Sequence, residues 1–353
     1  MTRPWIFSRS IDLAVFGAPA LVALALVALA PSLGLAGADS PEWAWVVGVV
    51  LVDVAHVWST ALITYLDGTE RARRPTLYAL VPLLGWAAGV AVYAAAGPAG
   101  FWRALAYLAI FHFVRQQYGW VALYRARAGD RERLGGVIDG AMIYAATLYP
   151  LVWWHAAAPR RFAWFVPGDL AVGWPAAVAT AAGVLYAAIA VAYLARAVAE
   201  ARRRPVPWGK HLVVATTAAC WYVGIVATDG DFTFTVTNVL IHGVPYVALV
   251  VLYGRAVAAT TPTRPSLGAR LLARPAVVVV ATLWLVAFVE ELLWDRAVWH
   301  DRPWLFGAGL ELADLHVLVV PLLALPQLTH YVVDGFLWRR RSNPRVGLWF
   351  AGP

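Results

Sequence analysis

The sequence is short of charge and nearly devoid of cysteine. Only 14% of its 353 residues are Asp, Glu, Lys or Arg, whereas soluble domains average roughly 25%. The single cysteine, Cys220, excludes an internal disulfide and a cysteine-rich zinc or iron–sulfur site. Residues 1–9 do not have the pattern of a signal peptide, because no small-residue cleavage site follows a short apolar core. We therefore expect the apolar run that begins at Ile11 to be a first membrane span.

Long apolar runs make up most of the chain. Hydrophobic residues account for 61% of the sequence, and the mean hydropathy is +0.67. Ten runs have the length of about 20 residues that a helix needs to cross a bilayer. They cover residues 11–30, 43–64, 76–96, 101–124, 137–154, 174–195, 211–227, 233–254, 275–293 and 312–337. The sequence thus predicts an all-α polytopic transmembrane helix bundle, with one integral-membrane domain over residues 1–353 and no soluble domain.

The basic residues indicate the orientation of these spans. If the N-terminus is cytoplasmic, four of the 28 Lys and Arg residues fall in outside loops, namely Arg160, Arg161, Arg296 and Arg302. All the others lie on the inside, except two within a span, Arg103 and Arg115. This asymmetry follows the positive-inside rule and predicts cytoplasmic N- and C-termini in a bacterial cytoplasmic membrane. Because the net charge of +8 is concentrated at span ends, we expect the lipid bilayer and not nucleic acid as the partner.

Four of the predicted spans carry a histidine close to another polar residue. The clusters are Asp53 with His56, His112 with Arg115 and Gln116, Asn238 with His242, and His330 with Asp334. Spacings of three or four residues place both side chains of a cluster on one helical face. Ionisable groups inside a bilayer are costly and usually functional. If the four clusters form one site, they must lie at one depth in the membrane.

The depths of the four histidines agree. At 1.5 Å per residue, they lie about 11 to 18 Å from the cytoplasmic ends of their spans. This agreement predicts one metal site, whose ligands are His56, His112, His242, His330, Asp53 and Asp334. We expect Asn238 and Gln116 to fix the orientation of the imidazoles, because such partners tune metal ligands. Arg115 is expected beside the site as a holder of an anionic group.

Ordinary structural roles compete with several of these assignments. Arg115 could form a helix-tying ion pair with Asp53 or Asp334, and Asp334 could instead pair with Arg339 or Arg340. Pro245 favours a kink in span 233–254, where His242 could cap a freed carbonyl group. Thr60 and Thr64 continue the face of His56 and are typical of helix–helix hydrogen bonding.

The remaining ionisable residues of interest are expected away from the site. His155 and His300 fall in outside loops, and His316 lies about 21 Å from His330 along its helix. Glu290 and Glu291 are expected to be solvated at the outer end of span 275–293. His211 and Asp139, near cytoplasmic span ends, leave open whether they close the cluster from that side.

Imidazole and carboxylate ligands together suit iron, zinc or manganese, and the absence of thiolate argues against copper(I). An open position at a histidine-rich iron site is the arrangement that activates O₂. We therefore expect a non-haem iron oxygenase, acting as a hydroxylase, desaturase or cleavage oxygenase on an apolar lipid or isoprenoid, with an electron-transfer partner. A proton- or ion-coupled transporter that uses the same residues is the alternative, and a haem protein is a second alternative.

Two segments and the histidine layout carry a resemblance. The strings from His112 to Trp120 and from His330 to Arg339 resemble segments of bacterial multi-pass membrane proteins. The placement of single histidines on several helices is similar to that of the bacterial carotenoid-cleaving membrane dioxygenases, which hold one iron in this way. The H-x-x-H-H clusters typical of membrane desaturases do not occur in the sequence. The layout resemblance implies an iron-dependent oxygenase.

Overall fold

A computed structural model describes residues 4–259, 265–339 and 343–351. All regular secondary structure within these ranges is helical. Nine of the helices there are long and apolar enough to cross a membrane, as expected of an integral membrane protein. In chain order they are α1 (Arg9–Leu29), α2 (Glu42–Ile63), α3 (Pro75–Arg127), α4 (Arg133–Ala157), α5 (Ala176–Ala201), α6 (Trp208–Ala227), α7 (Asp231–Ala259), α8 (Ala276–Trp299) and α9 (Ala313–Leu337).

Helix α3 contains two of the predicted spans. Its 53 residues would extend about 80 Å if straight, well beyond the bilayer core of about 30 Å. Its helical geometry breaks at Gly97, where φ is 69° and ψ is −175°, a conformation that glycine adopts without steric cost. Pro98 follows and supplies no backbone N–H. The break falls between predicted spans 76–96 and 101–124, while the count of ten spans and the cytoplasmic termini stay predictions.

Short helices connect or follow the long ones. They are Gly68–Arg73, Leu267–Leu272, Pro303–Phe306 and Pro344–Ala351. The first begins after Asp67, whose carboxylate accepts hydrogen bonds from the backbone N–H groups of Thr69 and Glu70. The second begins after Ser266, whose hydroxyl accepts from the N–H of Ala269. Both are ordinary N-terminal caps that satisfy donors left free in a first helical turn.

The chain divides into two compact units. The first comprises Met1–Gly48 and Ala109–Pro245. Its polar core includes the fully buried Asp12, which accepts hydrogen bonds from the N–H of Ile6 at 2.8 Å and from the hydroxyl of Tyr124 at 2.6 Å. These bonds tie the start of the chain to α3 and compensate the burial of a carboxylate.

The second unit comprises Val49–Leu108 and Tyr246–Pro353. Its helices are joined by side-chain bonds between segments far apart in sequence. Trp284 donates to the carbonyl of Leu51 at 2.9 Å, and Arg345 pairs with Asp67 at 3.0 Å. The prediction of one domain over the whole chain stays a prediction.

Candidate metal centre

The first unit brings His112 of α3 against His242 of α7. Their ring centroids lie 5.2 Å apart at an interplanar angle of 81°, and both residues are buried. Phe113 stacks face to face on His242, with centroids 3.5 Å apart and planes within 7°. Trp164 packs edge-on against Phe113 at 5.1 Å. The stack with Phe113 and the edge contact with His112 therefore restrict the orientation of the His242 ring.

Gln116 and Asn238 contact the backbone near this pair. Gln116 Nε2 donates to the carbonyl of His242 at 2.9 Å, within the turn where Pro245 disrupts regular helical bonding. Asn238 Nδ2 donates to the carbonyl of Phe234 at 3.0 Å. The buried amide oxygens Gln116 Oε1 and Asn238 Oδ1 accept no hydrogen bond within the described part of the chain. Gln116 thus supports the backbone that carries His242, and both amides keep an oxygen available for a further donor.

The second unit brings His56 of α2 against His330 of α9. Their ring centroids lie 4.9 Å apart at 80°, and both residues are 1% exposed. Tyr246 packs its ring edge-on against both, at 5.7 and 5.0 Å. Thr60 Oγ1 lies 2.8 Å from His330 Nδ1 and 2.7 Å from the Tyr246 hydroxyl. Hydroxyl groups therefore hold one edge of the His330 ring.

The two aspartates accompany this second pair. Asp334 Oδ1 accepts a hydrogen bond from the Tyr246 hydroxyl at 2.5 Å and lies 3.8 Å from His330 Nδ1. Asp53 Oδ1 lies 3.5 Å from His56 Nδ1, longer than a typical hydrogen bond. Arg339 and Arg340 were the alternative partners of Asp334. Arg340 lies outside the described residues, and the contacts of Arg339 include a stack over Phe336. Asp334 is thus bound to the residues around His330.

The predicted convergence of the four histidines is confirmed. One ring nitrogen from each of them lies within 4.8 Å of one from every other, in the group His56, His112, His242 and His330. At metal–nitrogen distances near 2.1 Å, neighbouring ligand atoms would be about 3.0 to 3.4 Å apart and opposite ones about 4.2 Å. The observed limit of 4.8 Å is somewhat wider than these distances.

Asp53 and Asp334 do not belong to this group among the described residues. Asp53 lies in the segment Trp45–Val54, which is wound as a π-helix. Its carboxylate still lies beside His56, with Asp53 Oδ1 3.5 Å from His56 Nδ1, as the three-residue spacing predicts, but outside the four-histidine group. Asp334 reaches Tyr246 instead. Their role as metal ligands stays a prediction.

Arg115 is exposed on α3, whereas His112 on the same helix is buried. Its guanidinium donates to the hydroxyl of Tyr144 and stacks 4.9 Å from the ring centroid of Tyr118. Residues three apart on a helix lie only about 60° from each other, and Arg115 is at the exposed edge of the face that carries His112. These contacts with tyrosines are the ones that the structure gives Arg115, and its role as a holder of an anionic group stays a prediction.

His211 and Asp139 are bound elsewhere in the first unit. His211 Nδ1 lies 2.6 Å from the Tyr193 hydroxyl. Asp139 is fully buried and binds three cations, Lys210 at 2.9 Å, Arg125 at 2.6 Å and Arg196 at 3.1 Å. Such compensation explains how a carboxylate can be fully buried in an apolar protein. Neither residue is in the four-histidine group.

The expectation that Glu290 and Glu291 are solvated was wrong. They are 4% and 9% exposed. Glu290 accepts hydrogen bonds from Trp58, from Gln327 at 2.9 Å and from Trp294 at 3.4 Å. Indole and amide donors on other helices therefore keep this carboxylate inside the second unit, a pairing that hydropathy does not reveal.

The other three histidines bind backbone carbonyl groups. His155 bonds that of Leu151, His300 that of Arg296 and His316 that of Ala297. His155 differs from expectation, because it lies within α4 and is buried. None of the three is in the four-histidine group, so they serve as controls.

Three residues at the site were not assigned a role there from sequence. Phe113 was given no individual role, and Thr60 was interpreted as a helix–helix contact. Tyr246 went unassigned, although it follows His242 by four residues, as Thr60 follows His56. That repeated four-residue step from a buried histidine to a hydroxyl was the available signal.

Comparison of the chain with known protein families, curated proteins and solved structures finds no match. The resemblance to carotenoid-cleaving dioxygenases therefore stays a prediction from the histidine layout.

Proposed function

We propose that the protein is a membrane-embedded metalloenzyme whose four histidines bind one metal ion. The observation that carries this proposal is the mutual approach of four buried imidazoles from four different helices, with a ring nitrogen of each within 4.8 Å of the others. Imidazole nitrogen is a common metal ligand. Histidines are rare inside membrane spans, and intramembrane ionisable residues usually serve a function.

The donor set favours non-haem iron, with zinc or manganese as alternatives. Imidazole suits iron and zinc, whereas manganese prefers oxygen ligands. Iron at such a site would supply open positions for O₂ activation. A haem iron would need only two axial ligands beyond its porphyrin nitrogens. Four imidazole nitrogens this close to one another therefore argue against the haem alternative.

The surroundings favour an apolar substrate. Phe113 stacks on His242 and is itself packed against Trp164. Tyr246 packs against His330 and is itself packed against Trp338. A lipid or isoprenoid that enters from the bilayer would meet aromatic rings before it reaches the imidazoles. We therefore propose a hydroxylase, desaturase or cleavage oxygenase that acts on such a substrate and draws electrons from a redox partner.

An ion-coupled transporter is the second candidate. The observation that favours it is the burial of Glu290 and Glu291 in the apolar helix α8. Buried carboxylates in membrane helices mark ion and proton paths in transporters. In that case the histidines would hold the transported ion transiently.

Elemental analysis and a UV–visible spectrum of detergent-purified protein test the proposal. We expect about one iron per chain without a Soret band. The single variants His56→Ala, His112→Ala, His242→Ala and His330→Ala should each lose the metal. The control His316→Ala should keep it, because His316 bonds the carbonyl of Ala297. A wild-type protein that binds no transition metal, or a control that loses metal equally, refutes the proposal.

A further inference from the structure

A chain of hydrogen bonds runs from a carboxylate to one of the four histidines, entirely within the second unit. Asp334 Oδ1 accepts from the Tyr246 hydroxyl at 2.5 Å, and that hydroxyl lies 2.7 Å from Thr60 Oγ1. Thr60 Oγ1 in turn lies 2.8 Å from His330 Nδ1. The direct distance from Asp334 to His330 Nδ1 is 3.8 Å, too long for a hydrogen bond. The two hydroxyl groups therefore connect the carboxylate to the imidazole.

The direction of each bond in this chain can be deduced from its ends. A carboxylate oxygen accepts hydrogen bonds, so the single hydroxyl proton of Tyr246 points to Asp334. The Tyr246 oxygen must then accept from its other neighbours. Trp338 Nε1 lies 3.4 Å away and can only donate. Thr60 is the other neighbour and must also donate to Tyr246.

The same reasoning fixes the protonation of the imidazole. The hydroxyl group of Thr60 has one proton, which it gives to Tyr246. Its oxygen therefore accepts from His330 Nδ1, and that nitrogen must carry a proton. A neutral imidazole protonated at Nδ1 has its lone pair at Nε2. The chain thus selects one of two tautomers, although Asp334 does not touch the ring nitrogen.

We propose that Asp334, Tyr246 and Thr60 are positioning residues that hold His330 as the Nδ1–H tautomer and leave Nε2 to bind a cation. The cation part of this inference rests on the function proposed above. It gives Asp334 a role other than that of ligand, which agrees with its place outside the four-histidine group. Partners of this kind orient a ligating imidazole and raise its basicity.

The tautomer can be measured without any metal. In detergent-solubilised apo-protein labelled with ¹⁵N-histidine, long-range ¹H–¹⁵N correlations distinguish Nδ1–H from Nε2–H. The His330 signals are identified by their loss in His330→Gln. We expect His330 to be Nδ1–H in the wild type. In Thr60→Val, which keeps the side-chain shape but removes the hydroxyl, a mixture of tautomers should replace the single form.

Thr64→Val is the matched control. Thr64 lies one turn further along the same helical path, is equally buried, and donates to the carbonyl of Thr60. Its removal should leave the His330 tautomer unchanged. Tyr246→Phe interrupts the chain at a second point and should also give a mixture, which guards against misfolding of one variant. Nε2–H in the wild type, or an unchanged tautomer in both Thr60→Val and Tyr246→Phe, overturns the inference.

Ferrous-ion affinity gives the second measurement. Loss of the chain in Thr60→Val or Tyr246→Phe should weaken binding by about 10- to 100-fold, whereas Thr64→Val should change it less than about twofold. If the wild type binds no iron but shows the expected tautomers, the hydrogen-bond chain stands and the proposed function fails. If iron binds normally to every variant and no tautomer changes, the proposed function stands and the chain has no positioning role.

Discussion

The two pairs of histidines are held by different kinds of contact. In the first unit, Phe113 lies flat on His242 at 3.5 Å, and Trp164 packs behind it. In the second unit, the His330 ring is bonded at Nδ1 to Thr60, which continues to Tyr246. Packing restricts where a ring lies but not which nitrogen carries the proton. A hydrogen bond to a group that can only accept restricts the position of the ring and also determines which ring nitrogen carries the proton.

This difference suggests that the two histidine pairs contribute differently to the proposed metal binding. Stacking by itself does not select between the two tautomers of an imidazole, so the contact of Phe113 with His242 does not determine which nitrogen binds a metal. An imidazole held by a polarised hydroxyl is prepared before the metal arrives, which reduces the cost of binding. We therefore expect the pair of the second unit to dominate affinity, and the pair of the first unit to complete the coordination.

Pairwise removal of the histidines gives the largest expected effect. His56→Ala combined with His330→Ala should abolish iron binding, with the metal content falling from about one to below about 0.1 per chain. His112→Ala combined with His242→Ala should also lose its metal during purification, as the single variants do, but should still bind iron weakly when iron is added at high concentration. Both contents are measured by elemental analysis after dialysis at several iron concentrations. Full iron content in either double variant would show that the remaining pair alone forms the site. Equal losses in the two double variants would contradict the expectation that the pair of the second unit contributes more to affinity.

Removal of the stacked ring tests the packed pair with an intermediate effect. Phe113 is 5% exposed, whereas Phe111 on the same helix is 65% exposed. Phe113→Ala should lower the free energy of unfolding by about 3 kcal/mol, because it leaves a cavity against His242. Phe111→Ala should stay within about 0.5 kcal/mol of the wild type. Denaturant-induced unfolding in mixed micelles measures both, and equal losses would mean that the stack does not hold His242 in place.

The part of the site that sequence predicted is the part that helical geometry controls. A rise of 1.5 Å per residue and the position of the basic residues were enough to bring His56, His112, His242 and His330 to one depth. The same depth reasoning separated His316 from His330 on one helix, and the structure bonds His316 to the carbonyl of Ala297. The all-helical fold was predictable from hydropathy, because apolar runs of membrane length form transmembrane helices.

Side-chain pairing across helices was beyond this reasoning. Glu290 is buried because Trp58 and Gln327 donate to it from other helices, and neither neighbour lies near it in sequence. Asp53 lies beside His56, as its spacing predicts, yet its carboxylate is outside the four-histidine group, which the local sequence does not signal. Periodicity gives the direction of a side chain on an ideal helix, but its partner depends on tertiary packing.

Substitution of Arg115 is expected to have the smallest effect on iron affinity. It tests whether metal binding by the pair His112 and His242 depends on a nearby positive charge. It is exposed, bonds Tyr144 and stacks on Tyr118. Arg115→Gln should therefore change iron affinity less than about twofold, as for a substitution that touches no ligand. Gln116→Leu, one residue further on, removes the donor to the carbonyl of His242 and should weaken iron binding by about tenfold.

Titration of both variants with ferrous iron compares the two positions directly. A loss of more than about tenfold in Arg115→Gln would place the guanidinium in the site as an anion holder, as the sequence predicted. The two pairs would then share a dependence on charge, and packing would no longer distinguish the first pair. A Gln116→Leu protein with unchanged affinity would show instead that the stacked Phe113 holds His242 without help from the backbone contact.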